Sequence, residues 1–165
     1  MSSDSAATPP DEGSVFKAGF LVVDFEAALR DFSAWLGVDW TPVQRAPLTL
    51  ETKSGREELS LRFAFATRGP MLLELLEAQP TGYYAAPEGP HLHHVGRWVD
   101  DLAAASQRLE AAGLPREAVG VDAQGNAPSL FAFHKGAHGL RVELVDSSSR
   151  ESFEGWLAGG TLELG

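Results

Sequence analysis

HVGRWVDDLAAA, His94 to Ala105, reads as a β-strand running through an acidic pair into a helix. The same plan stands 77 positions earlier (94 − 17 = 77) as KAGFLVVDFEAA, Lys17 to Ala28. Gly19, Val22, Asp24, Ala27 and Ala28 recur as Gly96, Val99, Asp101, Ala104 and Ala105. The module ends match as well: FAFATRGPMLLELLE, Phe63 to Glu77, resembles FAFHKGAHGLRVELVD, Phe131 to Asp146. One residue inserted in the second turn lays Glu74 on Glu143. An internal repeat of this kind predicts an α+β fold. Two tandem βαβββ modules would form a pseudo-twofold curved sheet, a half-barrel around one cavity, with the helices outside.

Local signals fill in the elements. VFKAGFLVV, Val15 to Val23, is short and β-rich, and Asp24 is placed to cap the helix that follows. Phe25, Leu29, Phe32 and Leu36 form one helical face, with Gly37 as terminator. Strands are expected at Thr49–Lys53, Leu59–Thr67 and Met71–Glu77, separated by turns at Gly55 and Gly69-Pro70. After a linker over residues 81–91, a strand at His93–Val99 leads through Asp100-Asp101 into a helix closed by Gly113. Further strands are expected at Ser129–His134 and Leu140–Val145. The expected organisation is a disordered leader over residues 1–14, modules at 15–80 and 92–147, and a tail from 148 to 165. In that tail Phe153 and Trp156 pack back on the body from a short amphipathic turn.

Composition narrows the function classes. A net charge of −10 argues against nucleic-acid binding, which needs cations to displace phosphate counterions, and against docking on anionic membrane. With no cysteine, disulfides, thiolate metal sites, thiol nucleophiles and Fe–S clusters are excluded. No apolar run approaches the roughly 20 residues that span a bilayer. The N-terminus lacks the basic and apolar regions of a secretory signal, so a cytoplasmic location is expected. No GxGxxG, P-loop, GxSxG or HExxH spacing is present.

The repeat brings four polar residues to equivalent strand positions facing one cavity: Lys17, Glu74, His94 and Glu143. Strand alternation places His94, Gly96 and Trp98 on one face and Lys17, Gly19 and Leu21 on another. Two carboxylates inside apolar strands need a counter-charge if buried. By the same alternation His93 should turn to the opposite face, His91 belongs to the linker, and Asp24 and Asp101 are helix caps. Trp98 and Leu21 are candidate substrate contacts on the cavity side, and His134 a candidate at its mouth. The loop Val121–Ser129 is placed to gate it.

Openings such as HHVGRWVDDLAAA, followed by strands ending LLELLE or RVELVD, resemble the vicinal oxygen chelate superfamily, which includes glyoxalase I, methylmalonyl-CoA epimerase, extradiol dioxygenases and bleomycin-resistance proteins. The resemblance covers about Val15 to Asp146. It is closest to small two-module glyoxalase-like and epimerase-like members. It implies metal ligands on the first and last strands of each module, which here means His94, Glu74 and Glu143. The fourth such position holds Lys17. Imidazole and carboxylate suit Zn, Ni, Co, Mn or Fe, whereas a protonated lysine repels a cation and could itself replace one. A bound divalent metal and a metal-free site are therefore both open.

Three functions follow from the resemblance. The first is an enzyme moving a proton on a small carbonyl or thioester substrate, by isomerase, epimerase or lyase chemistry, with Glu74 or Glu143 as base and His94 with a metal or Lys17 as electrophile. The second is a non-catalytic drug-binding protein of the resistance type. The third is a cyclisation or rearrangement enzyme of natural-product assembly. A small-molecule ligand and a homodimer are the implied partners.

Overall fold

The structure, a computed structural model, describes residues 14–162. The expected leader lies outside these residues, apart from Ser14. The described elements are β1 (Val15–Val22), α1 (Phe25–Leu36), β2 (Gln44–Thr52), β3 (Gly55–Phe65) and β4 (Leu72–Glu77), then β5 (His91–Val99), α2 (Leu102–Ala111), β6 (Arg116–Gly120), β7 (Phe131–Lys135) and β8 (Arg141–Asp146). A 3-10 turn at Ser147–Ser149 leads into α3 (Arg150–Leu157).

The eight strands close into a barrel in the order β1-β4-β3-β2-β6-β7-β8-β5. Each module contributes four strands in the order first, fourth, third, second, and the modules meet at β1·β5 and β2·β6. The first and fourth strands of each module run parallel, because the helix returns the chain and the antiparallel run of second, third and fourth strands then brings the last strand alongside the first. α1 and α2 cover the outside. Asp24 and Asp101 accept from Ala27 N and Ala104 N at 2.9 Å, so both act as the expected N-caps. Gly37 ends α1 in the left-handed region at φ 65°.

Alternation then sorts the side chains into layers. Leu61, Phe63, Phe65, Leu76 and Phe133 point inward and pack with Leu21 and Leu50. Ala64 and Leu75 point outward under Phe25 and Ala28 of α1, while Ala132 and Leu144 do so under Leu102 and Ala105 of α2. Leu36, expected on the buried face of α1, is 58% exposed.

Three strands differ from the sequence-based expectation. β6 was not anticipated: REAVG is five residues long and opens with two charged residues, too short for a clear period. β2 begins at Gln44, not Thr49; Pro47 is tolerated because Gln44–Leu48 pair only with β3 and form a free edge. β5 begins at His91, so this exposed histidine starts a strand. Within the linker Tyr84 is almost fully buried in the core. No described helix is long and apolar enough to cross a membrane.

Candidate active site

The site is built by the four strands β4·β1·β5·β8 around the seam between modules. Their register sets two rows. Gly19 lies between Glu74 and His94, and Gly96 lies between Lys17 and Glu143. The glycines repeated in the sequence now have a physical reason. A Cβ on Gly19 would stand 2.3 Å from His94 Cε1, and one on Gly96 would stand 2.6 Å from Lys17 Cγ and Cε. Each glycine is the floor over which the neighbouring strand's polar side chain lies.

Laid across these floors, the four side chains close a ring of alternating charge. Lys17 Nζ is 3.1 Å from Glu74 Oε2 and 2.7 Å from Glu143 Oε2. His94 Nε2 is 3.2 Å from Glu74 Oε2 and 3.1 Å from Glu143 Oε2. All four residues are buried. The ammonium also sits 5.5 Å from the centre of the Phe65 ring, within cation–π range.

These contacts decide the protonation states. Burial disfavours the charged form of Lys17, yet Glu143 and Glu74 overcome it and hold its pKa above the ordinary value. Burial would raise Glu143, but Lys17 and His94 pull it down to about 2. Burial opposes charge on His94 too, and Glu143 outweighs it, so its pKa is raised. The raised imidazole pKa favours a second positive charge beside the Lys17 ammonium, facing the same two side chains.

His93 departs from simple alternation. Gly19 pairs with His94 while Phe20 pairs with Leu92, so His93 is the extra residue of a β-bulge. The bulge turns it inward, where it stacks on Tyr84 with ring centres 5.0 Å apart. Its Nδ1 lies 3.1 Å from His94 Nδ1. Burial, with the charges of His94 and Arg141, lowers its pKa to about 2, so the neutral ring accepts from the His94 Nδ1–H and fixes the orientation of that imidazole. β1 carries the matching bulge: Val15 pairs with Arg97 and Lys17 with Gly96, leaving Phe16 extra. Phe16 stacks on Trp98 at 4.2 Å. Phe16-Lys17 and His93-His94 occupy equivalent positions of the repeat, so the two bulges are a symmetric pair.

The quartet lines a cavity of about 270 Å³ whose other walls are aromatic and aliphatic, Trp98 among them, apart from Ser149 and Ser152. Phe153 and Trp156 of α3 cover it, with Phe153 5.0 Å from Phe65. Two expected substrate contacts are corrected. Leu21 faces inward but is wholly buried in the core below the cavity. His134 alternates with the inward Phe133 and so points outward beneath α2, where Nε2 meets Ser106 Oγ and Nδ1 meets the Leu114 carbonyl, each at 2.9 Å.

Whether a divalent ion fits can be judged from the donor set. Donor atoms of Glu74, His94 and Glu143 all lie within 4.8 Å of one another, close enough for three ligands. The two carboxylate oxygens they would offer, however, already contact the Lys17 ammonium. A second cation there would meet a permanent positive charge on its own ligands, and the residues present do not fit a metal.

Comparisons with known proteins agree with this architecture. Residues 17–133 match the Glyoxalase/Bleomycin resistance protein/Dioxygenase superfamily. Methylmalonyl-CoA epimerase from Mycobacterium tuberculosis is similar in structure, with a TM-score of 0.57 at 18% identity, covering 85% of this chain and 93% of that one. A variant methylmalonyl-CoA epimerase from Streptomyces coelicolor, in complex with 2-nitronate-propionyl-CoA, gives 0.56 at 17% identity over 82% and 94% of the two chains. A methylmalonyl-CoA epimerase in complex with methylmalonyl-CoA and NH4+ gives 0.50 at 19% over 82% and 94%. No curated protein matches the sequence. With two βαβββ modules closed around one polar seam and a profile match over most of its length, the chain belongs to the glyoxalase, bleomycin resistance protein and dioxygenase superfamily.

Proposed function

We propose that the chain is a glyoxalase-like enzyme that transfers a proton on a small carbonyl substrate, as an isomerase, epimerase or lyase, with the Lys17 ammonium in the place of a divalent ion. The observation that carries this reading is the contact of one buried ammonium with both carboxylates, Glu74 and Glu143, beside His94. An ammonium has three N–H donors; one bonds Glu74 Oε2 at 3.1 Å, and Glu143 Oε2 stands at ion-pair distance, 2.7 Å. A further N–H is available for a substrate oxygen, and the charge behind it stabilises the enolate that forms when the α-proton leaves.

The two carboxylates are held unequally, with Lys17 Nζ 2.7 Å from Glu143 Oε2 and 3.1 Å from Glu74 Oε2. Glu143, held down to about 2, is a poor proton acceptor and serves as the fixed counter-charge. Glu74 then takes the α-proton, and protonated His94 returns one to the carbanion. The 3.2 Å contact between His94 Nε2 and Glu74 Oε2 passes the captured proton back and resets the ring. The similarity to methylmalonyl-CoA epimerases, one of them solved with an ammonium ion, supports proton transfer of this type.

A binding-only reading is favoured by one observation, the internal charge balance of the quartet, which leaves an aromatic cavity needing no chemistry. Deuterium exchange separates the two. In D2O, α-protons of simple ketones should exchange about 10²-fold or more faster with the wild-type protein than with Glu74→Gln. Treatment with EDTA should leave the rate unchanged. Equal rates for wild type and variant overturn the enzyme reading, and a rate restored only by added metal overturns the role of Lys17.

A further inference from the structure

Resting on that reading, we infer that the substrate is an uncharged, ring-bearing apolar carbonyl compound, not a coenzyme A thioester, and that it enters between β2 and the start of β7. The entrance follows from strand lengths. β6 pairs with β2 only at Leu50–Thr52, and the Val121 N–H to Thr49 carbonyl bond extends the seam by one residue. Beyond it the wall is open, with Ala46, Pro47 and Leu48 on one side and Leu130 and Phe131 on the other, all five lining the cavity. Leu130 is a non-glycine residue held at φ 64° and remains 45% exposed at this gap, an apolar side chain at the doorway.

The interior selects for rings. Phe16, Phe63, Phe65, Trp98, Phe153 and Trp156 surround the space above the quartet. Flat aromatic faces on several sides reward a planar or alicyclic ligand by stacking and edge contacts. About 270 Å³ is at the small end for a ligand pocket, enough for a compact ring system.

The exterior selects against a thioester of coenzyme A. Such a ligand would leave its phosphates outside the gap, in the groove of about 810 Å³ that shares Pro47, Leu48, Leu130 and Phe131 with the cavity. The charged residues lining that groove are Glu58 and Asp122. Among the described residues lining cavity and groove, Lys17 is the one Lys or Arg, and it lies inside the cavity, not along the groove. Phosphates emerging here would meet acids and no cation.

The test is equilibrium binding to the full chain, read by quenching of Trp98 and Trp156, with 2-tetralone as ring ketone and methylmalonyl-CoA as thioester. 2-Tetralone should bind saturably and at least tenfold more tightly. Ser152→Phe, which narrows the covered end of the cavity at an exposed position, should weaken 2-tetralone at least fivefold without changing the melting temperature. Equal or tighter binding of methylmalonyl-CoA, or no saturable binding of 2-tetralone, overturns the inference. Tight binding of 2-tetralone without faster exchange of its α-protons leaves the substrate class standing and removes proton transfer alone.

Discussion

Replacing Lys17 with methionine removes the ammonium while roughly keeping the length of the side chain. Glu143 is held from its ordinary 4.5 down to about 2. At about 1.4 kcal/mol for each tenfold, that is about 3 kcal/mol of favourable interaction at neutral pH, against burial that works the other way. Lys17 is the largest favourable contributor, followed by His94. Lys17→Met should therefore unfold about 3 kcal/mol more easily at pH 7, in line with about 3–5 kcal/mol for breaking a buried ion pair. The pH dependence gives the sharper check. A carboxylate with a depressed folded pKa contributes its stability above its unfolded pKa and loses it as pH falls through the folded value. The gap between wild type and variant should thus be full above about pH 5 and close progressively towards pH 2. Urea denaturation followed by tryptophan fluorescence at pH 7, 5 and 3.5 measures it. A variant as stable as wild type at pH 7, or a gap unchanged at pH 3.5, would refute the pairing of the Lys17 ammonium with an ionised Glu143.

Other substitutions probe the remaining parts. Lys17→His replaces the cation with a neutral ligand and should bind about one equivalent of Zn or Ni by elemental analysis, where wild type binds far less; no gain would count against lysine standing in for the ion. Gly19→Ala and Gly96→Ala push a methyl group into His94 and Lys17 respectively, and each should cost about 1–3 kcal/mol and abolish exchange activity, whereas Gly136→Ala, with its nearest neighbour 3.4 Å away, should change neither much. In histidine-resolved NMR titrations His94 should stay protonated above its ordinary 6.5, its stabilising effect present below that pH and lost as pH rises through the raised value, while His93 stays neutral down to at least pH 4. His134→Ala should lower stability by about 2 kcal/mol through its two lost hydrogen bonds, leaving 2-tetralone binding untouched.

The architecture was legible because the repeat is carried by residues with a strict structural task. Asp24 and Asp101 cap helices, and Gly19 and Gly96 make room for a neighbour's side chain, so these positions hold their identity in both copies. Convergence of Lys17, Glu74, His94 and Glu143 followed from the same register. What escaped detection depends on contacts that no local pattern encodes. Alternation alone turns His93 outward, and only pairing with β1 reveals the bulge that turns it in. Tyr84 sits among prolines and glycines, where composition reads as linker, yet its ring fills the core beside His93. His134 was misplaced for a different reason. The FAF run that fixes Phe131 and Phe133 inward already implies that the next residue turns out, and that inference was open to the sequence.

The twofold relation also explains why one pair of site residues is identical and the other is not. Glu74 and Glu143 project from the last strand of each module and meet across the seam, so a symmetric site would concentrate two negative charges in an apolar interior. Something positive must lie between them, and the first strands, each paired with the last strand of its own module and with each other across the seam, are placed to supply it. With two titratable imidazoles, the compensation would fade together as pH rose. Lys17 gives one position a charge that persists through the physiological range, and His94, steadied by His93, gives the other a charge that can be surrendered and recovered. A fixed cation can polarise a substrate oxygen without losing its proton, while its partner can hand one over. Under the proposed proton transfer, the divergence of positions 17 and 94 would turn a symmetric charge-pairing problem into an acid–base site with two distinct roles.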